Sequence, residues 1–251
     1  MARSVPVDAT FDRMLRSLID HEEEFRELDA AAGDGDLGIT VRSAAAAIHD
    51  WLSQKGTAET TSQLLAGVAQ VCASTSPSTF GSLISHGLAA AAKALGNEQR
   101  DNLTSMVVAL EAGIHKVQQL GRAEPGEKTF LDALIPALEA ARGATSVTEA
   151  LPLMCTAAIA NTEQMAAVVP KHGRAAWVGE RSIGIPDAGS VVVIRALEAL
   201  AGTDTRPWDA GFSAALSPER ERLASPDQSV RKSEQPDPLS VVIPPTAHQL
   251  G

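Results

Sequence analysis

Tyrosine is absent from this chain, and aromatic residues make up only 3% of its 251 residues. A β-sheet core draws on aromatic and β-branched side chains, so this poverty, set beside long alanine runs, favours closely packed helices. Excess positive charge is lacking too. The net charge is -10, which excludes nonspecific nucleic-acid binding, because a phosphate backbone is held by clustered Lys and Arg. An acidic protein that binds a phosphate needs metal ions or local donors to do so. Cysteine is scarce: Cys72 and Cys155 both lie in apolar, helix-like segments, where buried free thiols are expected and no disulfide or metal framework is defined. No apolar run approaches the roughly 20 residues of a membrane helix. The N-terminus lacks a basic start followed by an apolar stretch, so no membrane partner and a cytoplasmic location are expected.

What is present is helical periodicity. Phe11, Leu15, Leu18, Ile19, Phe25 and Leu28 share one face of a helix that Asp8 would cap. Further helices are predicted over residues 39–52, 61–73 and 78–95. Leu103, Val107, Leu110, Ile114 and Val117 mark a fifth, with Asp101 as its cap and Gly121 just past its end. A sixth runs over 130–141 behind Thr129, a seventh over 147–169 with Pro152 in its first turn, and the last from Ser190 to Gly202. The fold class is all-α, with about eight helices over residues 1–202. Beyond Gly202 lie half of the chain's 14 prolines, separated by charged and Ser-rich stretches. Residues 203–251 therefore read as an extended or disordered tail that buries too little apolar surface to offset its ordering entropy. Within it, Val241, Val242 and Ile243 form an apolar patch able to dock on the body or on a partner.

Three polar, glycine-rich loops between these helices carry chemistry. LDAAAGDGDLG, residues 28–38, crowds Asp29, Asp34 and Asp36 around glycines. Carboxylate oxygens are the hard ligands magnesium prefers, and without a cation the three charges repel one another. An Asp/Gly turn with capping aspartates has the same composition, so spacing alone leaves both readings open. The EF-hand pattern is not met. GRAAWVGERSIGIPDAGS, residues 173–190, offers Arg174 and Arg181 to phosphate, with Glu180 to orient either. Its Asp187–Gly189 turn opens a helix whose first N–H groups suit an anion. GRAEPGEKTFLDALIP, residues 121–136, reads as turn chemistry entering a helix. STSPSTFGS, residues 74–82, is a hydroxyl-rich helix start.

In this order and spacing, these segments resemble the nucleotide-binding (DhaL-type) domain of the dihydroxyacetone kinase family, over roughly residues 8–201. The resemblance implies a barrel of eight antiparallel helices that binds ADP or ATP at one end through two magnesium ions. It implies that Asp29, Asp34 and Asp36 are magnesium ligands and that the α-helix start at Gly38, Ile39 and Thr40 faces phosphates. It places Thr75 and Ser76 in a phosphate loop, Gly121 and Phe130 near the adenine, Arg174 on phosphate, and Asp187, Ala188 and Gly189 on the nucleotide. The implied activity is phosphoryl transfer to a short-chain ketose held by a separate kinase subunit, with a protein of the phosphoenolpyruvate phosphotransferase system as a further possible donor. A homodimer is also expected. The chain departs from the family pattern GDGDHGxN at Leu37 and Thr40. It carries Ala73 to Ser78 in place of a Gly-Gly-Ala/Ser-Ser-Gly-Pro run, and Ile185 to Gly189 in place of HxDPG. These departures motivate an alternative: a nucleotide-binding regulatory module without turnover of its own. The related fatty-acid-kinase nucleotide domain fits less well, since that group carries a DGDTG-like loop.

Overall fold

A computed structural model describes residues 9–55, 60–96 and 102–203. All of them belong to the first of the chain's two units, Met1–Phe212. The expected tail falls outside them from residue 204 onward, as do the proposed caps Asp8 and Asp101. The described residues contain helices and no strand: α1 (Ala9–Asp20), α2 (Glu22–Ala32), α3 (Leu37–Lys55), α4 (Thr61–Thr75), α5 (Thr79–Leu95), α6 (Leu103–Gly121), α7 (Leu131–Arg142), α8 (Val147–Ala166), α9 (Ala175–Val178) and α10 (Ala188–Ala201), with a 3₁₀ turn at Gly179–Ser182. None of these helices is long and apolar enough to cross a membrane. The all-α expectation holds.

The boundaries follow from capping. Thr60, Ser78, Asn102 and Ser146 each accept a hydrogen bond from the backbone N–H three residues on, satisfying a donor left free in the first turn. Asn102 thus caps α6, where Asp101 was expected. Three further expectations are corrected. The apolar face from Phe11 to Leu28 belongs to two helices, broken at His21, which leaves helical geometry and whose Nδ1 lies 2.7 Å from the Ser17 carbonyl oxygen. Pro152 sits inside α8, a turn deeper than its start. At α7, Thr129 does not cap. Asp132 instead reaches back, accepting from Thr129 N at 2.8 Å and Gly126 N at 2.6 Å.

Packing runs in cyclic order. Helices α1, α3, α4, α5, α6, α7, α8 and α10 each pack on the next, and α10 returns to α1, while α2 lies against α3 and α10. One core cluster joins α6, α7, α8 and α10 around Ile114, Leu131, Met154 and Ile194. A second joins α1, α3 and α4 around Leu15, Ile48 and Val68. A third, with Phe25, Leu37, Val41 and Val191, seats the start of α3 against α2 and α10. Helix α10 is buried on nearly every side, as expected of a helix apolar all round. Its one arginine, Arg195, is paired with Glu24 of α2 (Nε to Oε2, 2.8 Å) and with Glu198 (2.9 Å). Both cysteines are free and buried, and burial pushes each thiol up to about 11.

Candidate functional site

The acidic loop is shaped by glycine and by the approach of two helices. Gly35 has φ +77, a left-handed conformation that side-chain-bearing residues rarely adopt. Gly38 lets the start of α3 meet the start of α2: a Cβ there would lie 2.3 Å from the Glu22 carbonyl oxygen. Asp29, at the end of α2, accepts a hydrogen bond from Leu37 N, the first N–H of α3, at 3.0 Å. The loop therefore folds back on itself, and carboxylate oxygens of Asp29, Asp34 and Asp36 all lie within 4.8 Å of one another.

Arg174, from the distant segment after α8, places its Nη1 against Asp34 and 2.8 Å from Asp36. Asp36 is still held above the ordinary carboxylate range, first by burial and then by the charge of Asp29. The donor set fits a magnesium ion in kind, being three hard oxygen donors that already attract a cation. The fit in size is looser, since an octahedron with oxygens at about 2.0–2.1 Å spans about 4 Å. The observed spread asks for slight contraction or for more than one ion.

These residues line one side of a cavity of about 490 Å³. Its lining also includes Thr40, Gly121, Phe130, Asp187, Ala188 and Gly189, so the structure brings most of the sequence-derived residues to one place. Phe80 and Phe130 meet edge to face, with ring centroids 5.3 Å apart, and form an apolar wall. Asp187 caps α10 by accepting from Ser190 N at 2.7 Å, and burial raises its carboxyl to about 6. The N-terminus of α10 thus opens on the cavity with its first turn ordered.

Other expected residues are not in the lining. Gly38 is buried beneath it, and Ile39 is exposed beside it. Thr75 donates its hydroxyl to the Val71 carbonyl at 2.7 Å. Ser76 is buried and lies 3.4 Å from the Thr40 carbonyl, so both hydroxyls face backbone. Glu180 and Arg181 are exposed on the 3₁₀ turn, outside the lining.

Sequence reasoning missed Lys128, His172, Trp177 and Phe80, all of which line the cavity. Lys128 and Phe80 stood inside quoted motifs and were passed over as turn and helix-start residues. His172 stands next to the second loop and is held by Glu127, whose Oε2 lies 2.5 Å from its Nε2. Trp177 is almost fully exposed, at 88%, and its position among small residues gave no periodic signal.

Residues 31–202 match the DAK2 domain, which is well over half of the chain. The chain belongs to the DAK2 domain family. An L-erythrulose 1-kinase of Mycolicibacterium smegmatis is 36% identical to this DAK2 domain over 194 residues, covering 74% of this chain and 33% of that protein. The triokinase/FMN cyclase of Rattus norvegicus is 31% identical over 193 residues, covering 75% and 33%. The dihydroxyacetone kinase of C. freundii, solved in complex with AMP-PNP and Mg2+, matches with a TM-score of 0.66 and 24% identity over 81% of this chain and 35% of that one. At that identity the structural likeness shows the helical fold of the DAK2 domain alone. The chain spans about a third of the length of the relatives it matches.

Proposed function

We propose that this chain binds ADP or ATP with magnesium in the 490 Å³ cavity and serves as the phosphoryl-transfer part of a dihydroxyacetone-type kinase. The observation that carries the reading is the convergence of Asp29, Asp34 and Asp36 on one another in the cavity's lining, with Arg174 paired to the last two. Relatives named as erythrulose kinase and triokinase/FMN cyclase support the reaction class, and the AMP-PNP and Mg2+ complex of the C. freundii enzyme supports the ligand. The acceptor is a short-chain ketose. The cavity's lining suits a nucleotide, and the resemblance to the DhaL-type domain implies a separate site for the ketose. We therefore assign the ketose to a separate subunit, working with a homodimer of this chain in the cytoplasm, where ATP is supplied. The nucleotide either exchanges freely or stays bound and is recharged by a phosphoenolpyruvate-dependent donor protein.

Asp29, Asp34 and Asp36 would hold two magnesium ions. Bound magnesium supplies charge neutralisation at the β- and γ-phosphate oxygens, which is most of what phosphoryl transfer requires. Arg174, which reaches Asp34 and Asp36 in the ligand-free chain, would place its guanidinium on a phosphate and stabilise charge there. Gly189 and Ala188 present the first N–H groups of α10 to an anion. The Phe80–Phe130 pair and Gly121 give the base an apolar wall. Thr40 adds a hydroxyl at the phosphate end. Gly38 and Ile39 fix the start of α3, Ser76 braces it from the end of α4 with its hydroxyl 3.4 Å from the Thr40 carbonyl, and Thr75 ties its own hydroxyl back to Val71 within α4.

One observation favours the regulatory alternative. Leu37, where the resembling family carries His, is buried in the core with Phe25 and Val41 and has no group to take up or release a proton. The two readings separate in a reconstituted assay. Magnesium-dependent phosphorylation of dihydroxyacetone or erythrulose with a ketose-binding partner supports the kinase, and nucleotide binding with no turnover under any partner supports the module.

A further inference from the structure

Lys128 lines the cavity but has nothing left to give a phosphate. Its side chain is buried, at 4% exposure, and its ammonium donates to three backbone carbonyls: Ala166 at 3.1 Å, Val168 at 3.0 Å and Ser182 at 2.8 Å. The first is the last residue of α8, the second lies just past its cap, and the third is the end of the 3₁₀ turn. Between them runs the segment that carries His172, Arg174 and Trp177. The two ends are also joined directly, since Gly184 N donates to the Ala166 carbonyl at 2.8 Å. An ammonium has three donors and no acceptor, so each is matched, and a cation at a helix C-terminus is favoured by the helix dipole.

The residues around Lys128 are built to hold it there. Lys128 itself has φ +58, a conformation uncommon outside glycine. Asp132 fixes that turn by accepting from Gly126 N and Thr129 N. The preceding Glu127 grips the same distant segment from its other side. Its carboxylate binds His172 and lies 3.2 Å from Lys171 Nζ, and its carbonyl accepts from Lys171 N. The Glu124 N–H and these partners hold the Glu127 carboxyl down to about 2.

We propose that Lys128 is a positioning residue: its ammonium clasps the neck of segment 167–182 and so sets where Arg174 stands relative to the acidic loop. It acts on the ligand through Arg174 and does not touch it. Burial lowers the ammonium to about 8, so at neutral pH it is still mainly charged and able to donate to all three carbonyls. Without it, all three carbonyls lose the ammonium, and although Ala166 and Ser182 keep the N–H groups of Gly184 and Ile185, the tie between the two ends weakens and the segment opens locally.

The test is hydrogen exchange on the ligand-free chain, comparing wild type with Lys128→Met and Lys128→Arg. The planar fork of arginine cannot reproduce three converging ammonium donors. Exchange within residues 168–184 should speed up by on the order of tenfold or more in both variants, with the amides of α4, α5 and α6 unchanged. Magnesium–ADP affinity should fall by a similar factor. Uniform acceleration across all helices, or wild-type exchange in 168–184, would overturn the proposal, as would looser exchange with unaltered ADP affinity. If Lys128→Met does not fold, Lys128→Arg decides by the same criteria. The affinity arm rests on the nucleotide reading above, but the exchange arm uses no ligand. A wild-type chain that binds no nucleotide therefore sinks that reading and leaves the clasp to stand or fall on exchange alone.

Discussion

The three aspartates of the acidic loop do not have equal duties. Asp29 accepts the first N–H of α3 and so helps to fold the loop, whereas among the described residues the carboxylates of Asp34 and Asp36 pair with Arg174 and stay about half exposed. Asp34→Asn and Asp36→Asn should leave the stability of the ligand-free chain within about 0.5 kcal/mol of wild type. Both should abolish magnesium–nucleotide binding. Asp29→Ala should cost about 1 kcal/mol as well, as the loss of a cap does. Urea denaturation read beside calorimetry separates the two effects. Asp187 carries a different signature. Its carboxyl rises from an ordinary 3.8 to about 6 in the folded chain, so the folded state binds its proton more tightly. The stability this confers is complete below pH 3.8 and is lost as pH rises through about 6. Asp187→Asn keeps an oxygen to accept from Ser190 N and cannot ionise. Its stability relative to wild type should therefore increase between pH 4 and pH 7, as measured by urea denaturation at both.

At the scale of elements, the site depends on how closely α3 approaches α2. A Cβ at Gly38 would also lie 3.0 Å from Arg26 Cβ and N, so Gly38→Ala must push the helices apart. We expect a loss of about 1–3 kcal/mol, as for other overpacked contacts. A weaker nucleotide affinity should accompany it, because Asp36 moves away from Asp29. Most helix limits were legible in the sequence because their signals are local: Ser78 before α5, Gly202 after α10, and the apolar spacing of α6. The break at His21 was not, since the apolar face runs on through both helices and packing of α2 on α3 and α10 decides the bend. Nor was the role of Asp132, which caps backwards from inside α7. The aspartate loop, Arg174 and the Asp187–Gly189 turn were readable from residue chemistry, and resemblance supplied Thr40, Gly121 and Phe130. Lys128 was not readable, because its partners lie 38, 40 and 54 residues away and are backbone atoms that no side-chain pattern reports.

For the whole molecule, the eight longer helices that pack in a cycle place the acidic loop, the α6–α7 connection and the start of α10 around a single cavity. The chain's charge of -10 makes the bare cavity a poor host for a polyanion, so binding should couple strongly to the metal. Magnesium–ADP at 100 times its Kd should stabilise the fold by about 2.7 kcal/mol, which raises Tm by on the order of 5–10 °C for a chain of this size. Neither magnesium nor ADP alone should approach that shift in a thermal melt. The central claim is that three carboxylates hold a metal that in turn holds the nucleotide, and calorimetric titration of ADP with magnesium and then with chelator tests it most directly. The account predicts saturable binding that chelator abolishes and that Asp36→Asn lacks. Binding that survives chelation, or no binding with magnesium present, would contradict it.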